Sequence, residues 1–258
     1  MKDYTDLYST RIQKSFDEDQ ADILSIIKGE IDKSFNLEVQ LINYYRGLPV
    51  SYKAKVVGID KNALDLDVAP EQAVAISTER YTLIRSKMFK YPVLAKAQYV
   101  SVKHKAVSLR KLCYVEILAE RRMHIRLALD PPIKAAFNSS SGIVRGKLIE
   151  LSMGGAIMSV AQPVNEVIGE ETILNIMVPD TEQSTVYNIK IPSIVVDVAD
   201  GSNKVRYIRL SINADDRISD RVISKYLYHR QVDIIRELKE AVELGLKKGH
   251  VDAGNVPS

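Results

Sequence analysis

The sequence has no tryptophan, one cysteine (Cys113) and four histidines among 258 residues. One cysteine rules out an intramolecular disulfide framework and a thiolate zinc cluster. The histidines, at 104, 124, 229 and 250, have no second histidine at helical metal-pair spacing. No uncharged apolar run reaches the roughly 18–20 residues needed to span a bilayer. The opening residues, MKDYTDLYST, lack the apolar core of a signal peptide, so a cytoplasmic protein without a membrane span is expected. Gly146-Lys147 ends like a phosphate-binding loop, but Ser141 stands where its first glycine belongs and Leu148 replaces the metal-binding hydroxyl. There is no Gly-x-Ser-x-Gly elbow. Cys113 lies in an apolar run, where a structural thiol is expected rather than a nucleophile. Together these absences point away from an enzyme and from any metal or organic cofactor.

What is present is ordinary in bulk, 46% hydrophobic and 27% charged, but uneven along the chain. Residues 1–35 carry 5 Lys/Arg and 8 Asp/Glu, a net of −3. From Arg80 to Lys111 there are 9 Lys/Arg and no acid. Such a segment suits an anionic partner, or else forms a solvated strand face balanced by the acidic N-terminus. It holds only Tyr81, Phe89, Tyr91 and Tyr99 as aromatics and no recognition motif, so nucleic acid is disfavoured.

The first 35 residues read as helix, most clearly through Ile23, Leu24, Ile26, Ile27 and Ile31, with Asp17, Asp19 and Asp22 near its start. From Glu38 the period becomes two. Val39 and Leu41, then Tyr52, Ala54 and Val56, alternate with polar residues, and Asp60-Lys61-Asn62 marks a hairpin turn. Strand-like runs follow at 73–77, 81–85, 93–102 and 106–115. Asp130-Pro131-Pro132 reads as linker or loop with at most one short strand, because adjacent prolines cannot pair in a central strand. A second series comprises 147–151, 155–160, 172–178, 186–191, 193–198 and 204–212. A C-terminal helix carries the stripe Val222, Ile223, Tyr226, Leu227, Ile234, Ile235, Leu238, Ala241 and Val242, with Asp220 as candidate cap and Gly245 and Gly249 as stops.

Two motifs remain: Arg121-Arg122-Met123-His124-Ile125-Arg126, and Glu150-Leu151-Ser152-Met153-Gly154-Gly155. Together they resemble the PilZ domain, a bacterial receptor for cyclic di-GMP, with its RxxxR motif before the barrel and (D/N)xSxxG motif on an early strand. Arg122 and Arg126 fill the first; Ser152 and Gly155 fill the second; Glu150 stands where the family has Asp or Asn. The resemblance covers roughly residues 117–240. The N-terminal part is similar to the YcgR-like flagellar-brake architecture.

That resemblance implies a mainly β chain of two β-barrel domains, an N-terminal split barrel and a C-terminal six-stranded PilZ barrel, with N-terminal and C-terminal helices. The expected divisions are a helical segment at 1–36, the split barrel at 37–116, an arginine-containing linker or hinge at 117–126, the PilZ barrel with its helix at 127–248 and a tail at 249–258. It implies a cyclic di-GMP site of Arg121, Arg122, Arg126, Glu150, Ser152 and Gly155. Nucleotide captured at the arginine loop would reorient the domains and signal to a protein partner such as a flagellar motor component, at the flagellar basal body. The residue types suit this ligand. Arginine's fork spans a phosphate or the O6/N7 edge of guanine, a carboxylate accepts from the guanine N1–H and N2–H, and glycine allows close backbone approach. His124 is expected to be a spacer facing away from the ligand. The competing reading is a degenerate PilZ module that keeps the fold as an interaction scaffold and does not bind the nucleotide.

Overall fold

A computed structural model of the chain describes residues 7–34, 36–140, 142–161, 168–180, 185–201, 205–213 and 217–247. Among them, contacts group 7–45, 49–121 and 234–247 into a first unit, and 46–48 with the described part of 122–233 into a second.

The first unit contains β1 (Ser9–Thr10), α1 (Phe16–Ile31), β2 (Glu38–Tyr45), β3 (Leu48–Asp60), β4 (Ala63–Asp67), α2 (Pro70–Glu79), β5 (Tyr81–Arg85), β6 (Val93–Ser101), β7 (Ala106–Glu116) and a 3-10 turn at Leu118–Arg121. Its sheet runs β1-β7-β4-β3-β2-β5-β6, and β6 returns to pair with β7, so six strands close on one another. The expected hairpin joins β3 to β4, with Asp60 opposite Ala63 and both Lys61 and Asn62 at positive φ. That is the handedness a two-residue hairpin turn requires. Leu41, Leu64, Leu66, Ile84, Leu109 and Leu112 fill the interior, and α1 seals it with Ile23, Leu24 and Ile27. Cys113 is buried in an adjoining apolar cluster, and burial pushes its thiol pKa up, as befits a structural thiol.

The N-terminal helix is shorter than its sequence suggests. Ser15 caps α1 by accepting from the Glu18 amide, and its hydroxyl donates to the Glu18 carboxylate at 2.7 Å. The buried Asp19 carboxylate accepts from the Gln13 and Lys14 amides at 2.8 and 3.2 Å. Those bonds hold the chain out of helix just before the cap, and Ser9–Thr10 pairs with Val115 and Glu116 instead. Residues 73–77, expected as strand, lie in α2. Gln72 to Ile76 are all buried, and an apolar run buried all round has no period to reveal its type. Pro70 at the first turn supplies the helix start.

The second unit contains β8 (Leu127–Ser139), β9 (Gly142–Ser152), β10 (Gly155–Val160), β11 (Glu171–Asp180), β12 (Thr185–Asp200), β13 (Arg206–Ile212) and the first part of α3 (Arg217–Lys247). Its strands close into a six-stranded barrel, β10-β13-β12-β11-β8-β9, around Phe137, Leu148, Met158, Ile176, Ile191 and Ile208. The mainly β fold with helices near both ends is thus what the sequence led one to expect.

Several local readings change here. The region around Asp130-Pro131-Pro132 is one 13-residue strand, not a linker with a short strand. Its register jumps from Ala128↔Glu150 to Ile133↔Leu148, so both prolines fall in the irregular stretch where no ladder donor is needed. Likewise 186–191 and 193–198 are one strand. The Pro192 carbonyl accepts from Asn213, so its ring nitrogen faces the same side, just past the point where the β13 ladder ends at Ser193↔Ile212. The missing donor thus falls at the end of the β13 ladder, and none is lost toward β11. Asp220 lies in the first turn of α3 instead of capping it, and Gly245 is helical instead of a stop. Gly249 and the expected tail lie outside the described residues. Ile223, Leu227, Ile234 and Leu238 form the buried stripe of α3, while Ile235 is exposed.

Gly146, in mid-strand on β9, has no phosphate-loop geometry. A Cβ there would lie 2.4 Å from the Ser159 carbonyl oxygen and 3.0 Å from Val160. Gly146→Ala is therefore expected to destabilise the second barrel by about 1–3 kcal/mol, the usual cost of overpacking. Urea denaturation followed by circular dichroism measures it; an unchanged midpoint would mean that the strands separate freely at this point.

Candidate functional site

The two motifs flank β8 in sequence: the arginine motif precedes it, and the serine motif ends β9 and opens β10. Ser152 lies opposite Gly155 across the β9–β10 turn, and Glu150 lies opposite Ile157. On β9, Leu148 and Leu151 point into the barrel and are fully buried. Glu150 and Ser152 are buried as well, at 9% and 2% exposure, although Glu150 lines a cavity and Ser152 does not.

That cavity, of about 220 Å³, lies wholly within the second unit. Arg126, Glu150, Gly154, Gly155, Val196 and Arg209 are among its lining residues. Three of the six residues singled out in the sequence therefore meet in one place: Arg126, Glu150 and Gly155. Arg126 is half-buried and immediately precedes β8. Gly155 opens β10, and a Cβ on it would approach the Leu210 carbonyl oxygen to 3.1 Å, so the backbone there is already closely packed. The lining holds two guanidinium groups and one carboxylate, and a second carboxylate, Asp197, lies 3.6 Å from Arg209, so the site offers both donors and acceptors.

The other three residues are placed differently. The Ser152 hydroxyl donates to the Gly155 carbonyl at 3.0 Å, locking the turn from beneath. Arg121 ends the 3-10 turn, belongs to the first unit and is ion-paired with Glu116. Arg122 is half-buried and does not line the cavity. Between Arg121 and Leu127 the chain has no helix or strand, and Met123 is 91% exposed. His124 packs against the turn: a Cβ on Gly154 would lie 3.1 Å from its Cδ2.

Arg209 belongs to neither sequence motif. It lies on β13 opposite Ile157 on one side and Asp197 on the other, and its Nη1 is 3.6 Å from an Asp197 carboxylate oxygen. The period of two in Ile208, Leu210 and Ile212 does turn Arg209 outward. Its placement beside the serine motif follows only from the β10–β13 register.

A second cavity, of about 290 Å³, lies under the first part of α3 and includes Tyr187, Lys225, Tyr226, His229 and Arg230 in its wall. Lys225 pairs with the buried Asp180 at 3.2 Å, Arg230 Nε donates to the Ala128 carbonyl, and burial pushes the Tyr226 hydroxyl pKa up. It contains none of the six residues, so its larger size does not make it the stronger candidate. Among the described residues no cluster of His, Cys, Asp and Glu is arranged to hold a metal ion, and no helix is long and apolar enough to cross a membrane.

No family model and no curated protein matches the sequence. Among solved structures, the chain is similar to the Bacillus subtilis inhibitor of motility MotI/DgrA, at 18% identity over 77% of this chain and 97% of that one, with a TM-score of 0.42. It is similar to Escherichia coli YcgR in complex with c-di-GMP, at 11% identity over 92% and 98% of the two chains, with a TM-score of 0.41. It is also similar to the K. pneumonia MrkH–c-di-GMP complex, at 16% identity over 86% and 96%, with a TM-score of 0.42.

Proposed function

We propose that the chain is a non-enzymatic cyclic di-GMP receptor that takes the nucleotide at the cavity of its second barrel and passes the signal to a protein partner. One observation carries this reading: Arg126, Glu150 and Gly155, drawn from both motifs, line one cavity together with Arg209. In this reading Arg126 and Arg209 offer guanidinium forks to a guanine edge or a phosphate, and Glu150 accepts from the guanine N1–H and N2–H. Gly155 lets the base lie close to the backbone. At about 220 Å³ the cavity is smaller than the ~300 Å³ typical of a drug-sized site. It therefore takes part of the nucleotide, and the motif resemblance assigns the remaining phosphate to Arg121 and Arg122.

Residues 117–126 act as a linker between a split barrel at 37–116 and a PilZ barrel at 127–248, and ligand captured there reorients the two. Ligand can shift such an equilibrium only by its differential affinity for the two arrangements. The absence of helix or strand between Arg121 and Leu127 supports a hinge at that point. The partner implied by the motif resemblance is a component of the flagellar motor, reached from the cytoplasm at the basal body.

Calorimetric titration of the full chain with cyclic di-GMP tests the reading. Saturable heat is expected, with two ligands per chain if a stacked dimer is bound through the three arginines of the linker. One ligand per chain would remove the stacked dimer and keep the receptor. No heat and no thermal shift at high micromolar nucleotide would make the chain a ligand-independent scaffold.

A further inference from the structure

The basic stretch Arg80–Lys111 takes no part in the cavity, and its cations are not evenly spread. Lys96 on β6 lies directly opposite Arg110 on β7. The register moves by two residues on β6, from Leu94 to Lys96, but by three on β7, from Cys113 to Arg110. β7 therefore carries one extra residue, and the bulge turns both Arg110 and Lys111 outward. Tyr81, next to Arg80, lies opposite Lys96, and the Arg80 carbonyl accepts from the Ala97 amide at 2.9 Å. Arg80, Lys96, Arg110 and Lys111 are all exposed and gathered around one point of the sheet.

This gathering works against local stability. Like charges directly opposite on neighbouring strands repel, and Arg80 and Lys111 hold positive φ angles of 67° and 53° without being glycine. Five other exposed cations of the unit are ion-paired: Lys14 with Asp22, Lys33 with Glu30, Lys53 with Glu38, Arg85 with Glu120 and Arg121 with Glu116. Among the described residues, none of the four clustered cations has an ion-pair or hydrogen-bond partner for its side chain. Strain and repulsion kept together at one exposed place point to a ligand that relieves them.

We propose that the outer face of the β6–β7 hairpin is a docking surface for an acidic protein segment, recognised by Arg80, Lys96, Arg110 and Lys111. Charge complementarity sets the sign of the partner, and cross-strand spacing of about 5 Å matches carboxylates presented on a strand or a helix face. β6 is hydrogen-bonded to β5 on one side and β7 on the other, so the partner is held by side chains and adds no strand to it. A membrane is disfavoured because no exposed large apolar side chain falls between residues 80 and 116. Single-stranded nucleic acid is disfavoured because Tyr81 and Tyr99 are half-buried and offer no open stacking platform. The surface belongs to the first unit, so it stands or falls independently of the nucleotide site.

The test uses the full chain and a fluorescent peptide of about ten glutamates at about 50 mM salt, where exposed charges are weakly screened. The combined Lys96→Glu, Arg110→Glu and Lys111→Glu variant is expected to lose at least about 30-fold in affinity, roughly tenfold per 1.4 kcal/mol removed. Lys103→Glu with Lys105→Glu, in the β6–β7 turn, is expected to lose less than about threefold. The neutral pair Arg110→Gln and Lys111→Gln gives the same ranking with a milder change. Lys96→Glu alone, which converts repulsion into attraction, is expected to raise the melting temperature by about 2 °C. Equal losses in the two glutamate variants would overturn the proposal. So would a lower melting temperature for Lys96→Glu, or tighter binding of an oligothymidine or of phosphatidylserine vesicles than of the peptide.

Discussion

Arg126→Ala in the full chain is expected to weaken cyclic di-GMP binding by roughly 10–100-fold in a calorimetric titration. One charge-assisted, partly desolvated contact is worth about 1.5–3 kcal/mol, which is that range of affinity. The residue is half-buried, lines the cavity and sits at the mouth of β8. The barrel interior, led by Phe137, Leu148 and Ile208, does not involve its side chain, so the fold should survive. Arg126→Lys keeps the charge and loses the planar fork, and only part of the affinity should return. Arg121→Ala should do less than Arg126→Ala, because Arg121 is 66% exposed and paired with Glu116. If Arg126→Ala titrates like the unaltered chain, the cavity is not the nucleotide site.

The second large effect concerns stability. Asn43 and Gln72 are fully buried in the first unit. Gln72 Nε2 donates to Asn43 Oδ1 at 2.7 Å, and Asn43 Nδ2 donates to Glu79 Oε2 at 2.8 Å and to the Tyr81 carbonyl at 2.7 Å. The Glu79 carboxylate also accepts from the Tyr44 amide, and Gln72 Oε1 from the Tyr52 amide. These bonds tie α2 to β2, β3 and β5. Asn43→Leu, with the same branching and number of non-hydrogen atoms, would strand the Gln72 amide and remove a donor from Glu79. The expected loss is about 3 kcal/mol, since each stranded buried group costs about 1–3 kcal/mol. Near-ultraviolet circular dichroism during urea titration reads the tyrosine-rich first unit. Adding Gln72→Leu should cost less than the sum of the single changes, because both act on one network. A loss under about 1 kcal/mol for Asn43→Leu would show that the network contributes little net stability.

Local reasoning succeeded wherever a short stretch carries its own physical signature. The turn at Asp60-Lys61-Asn62, the alternation of Val39 and Leu41, and the apolar stripe of α3 all rest on neighbours in sequence. It failed where burial or irregular pairing erased the signature. Gln72 to Ile76 are covered on every side and have no period to read. Pro131 and Pro132 look like strand breakers until a shifted register leaves them without a ladder partner. At the other end, apolar spacing alone lets the helix reach back to the first residues. The Asp19 carboxylate, bonded to the Gln13 and Lys14 amides, fixes the start at Phe16 instead.

The candidate site divides the same way. The residue types and spacing of Arg122, Arg126, Glu150, Ser152 and Gly155 were visible as motifs, and their resemblance to the PilZ pattern implied a ligand class. Which of them share a cavity was not visible. Ser152 turns out to brace the turn, Arg121 to pair with Glu116, and Arg209 to enter from a strand far along the chain. By itself, then, the scarcity of cysteine and histidine, the switch from a helical to a twofold period and the paired motifs determined a mainly β chain and a candidate anionic ligand, because each is a property of nearby residues. Tertiary structure alone decided that Arg126 meets Glu150 and Arg209, that Asn43 meets Gln72 and Glu79, and that Lys96 faces Arg110. Those contacts depend on strand register and closure, which join residues that no local pattern relates.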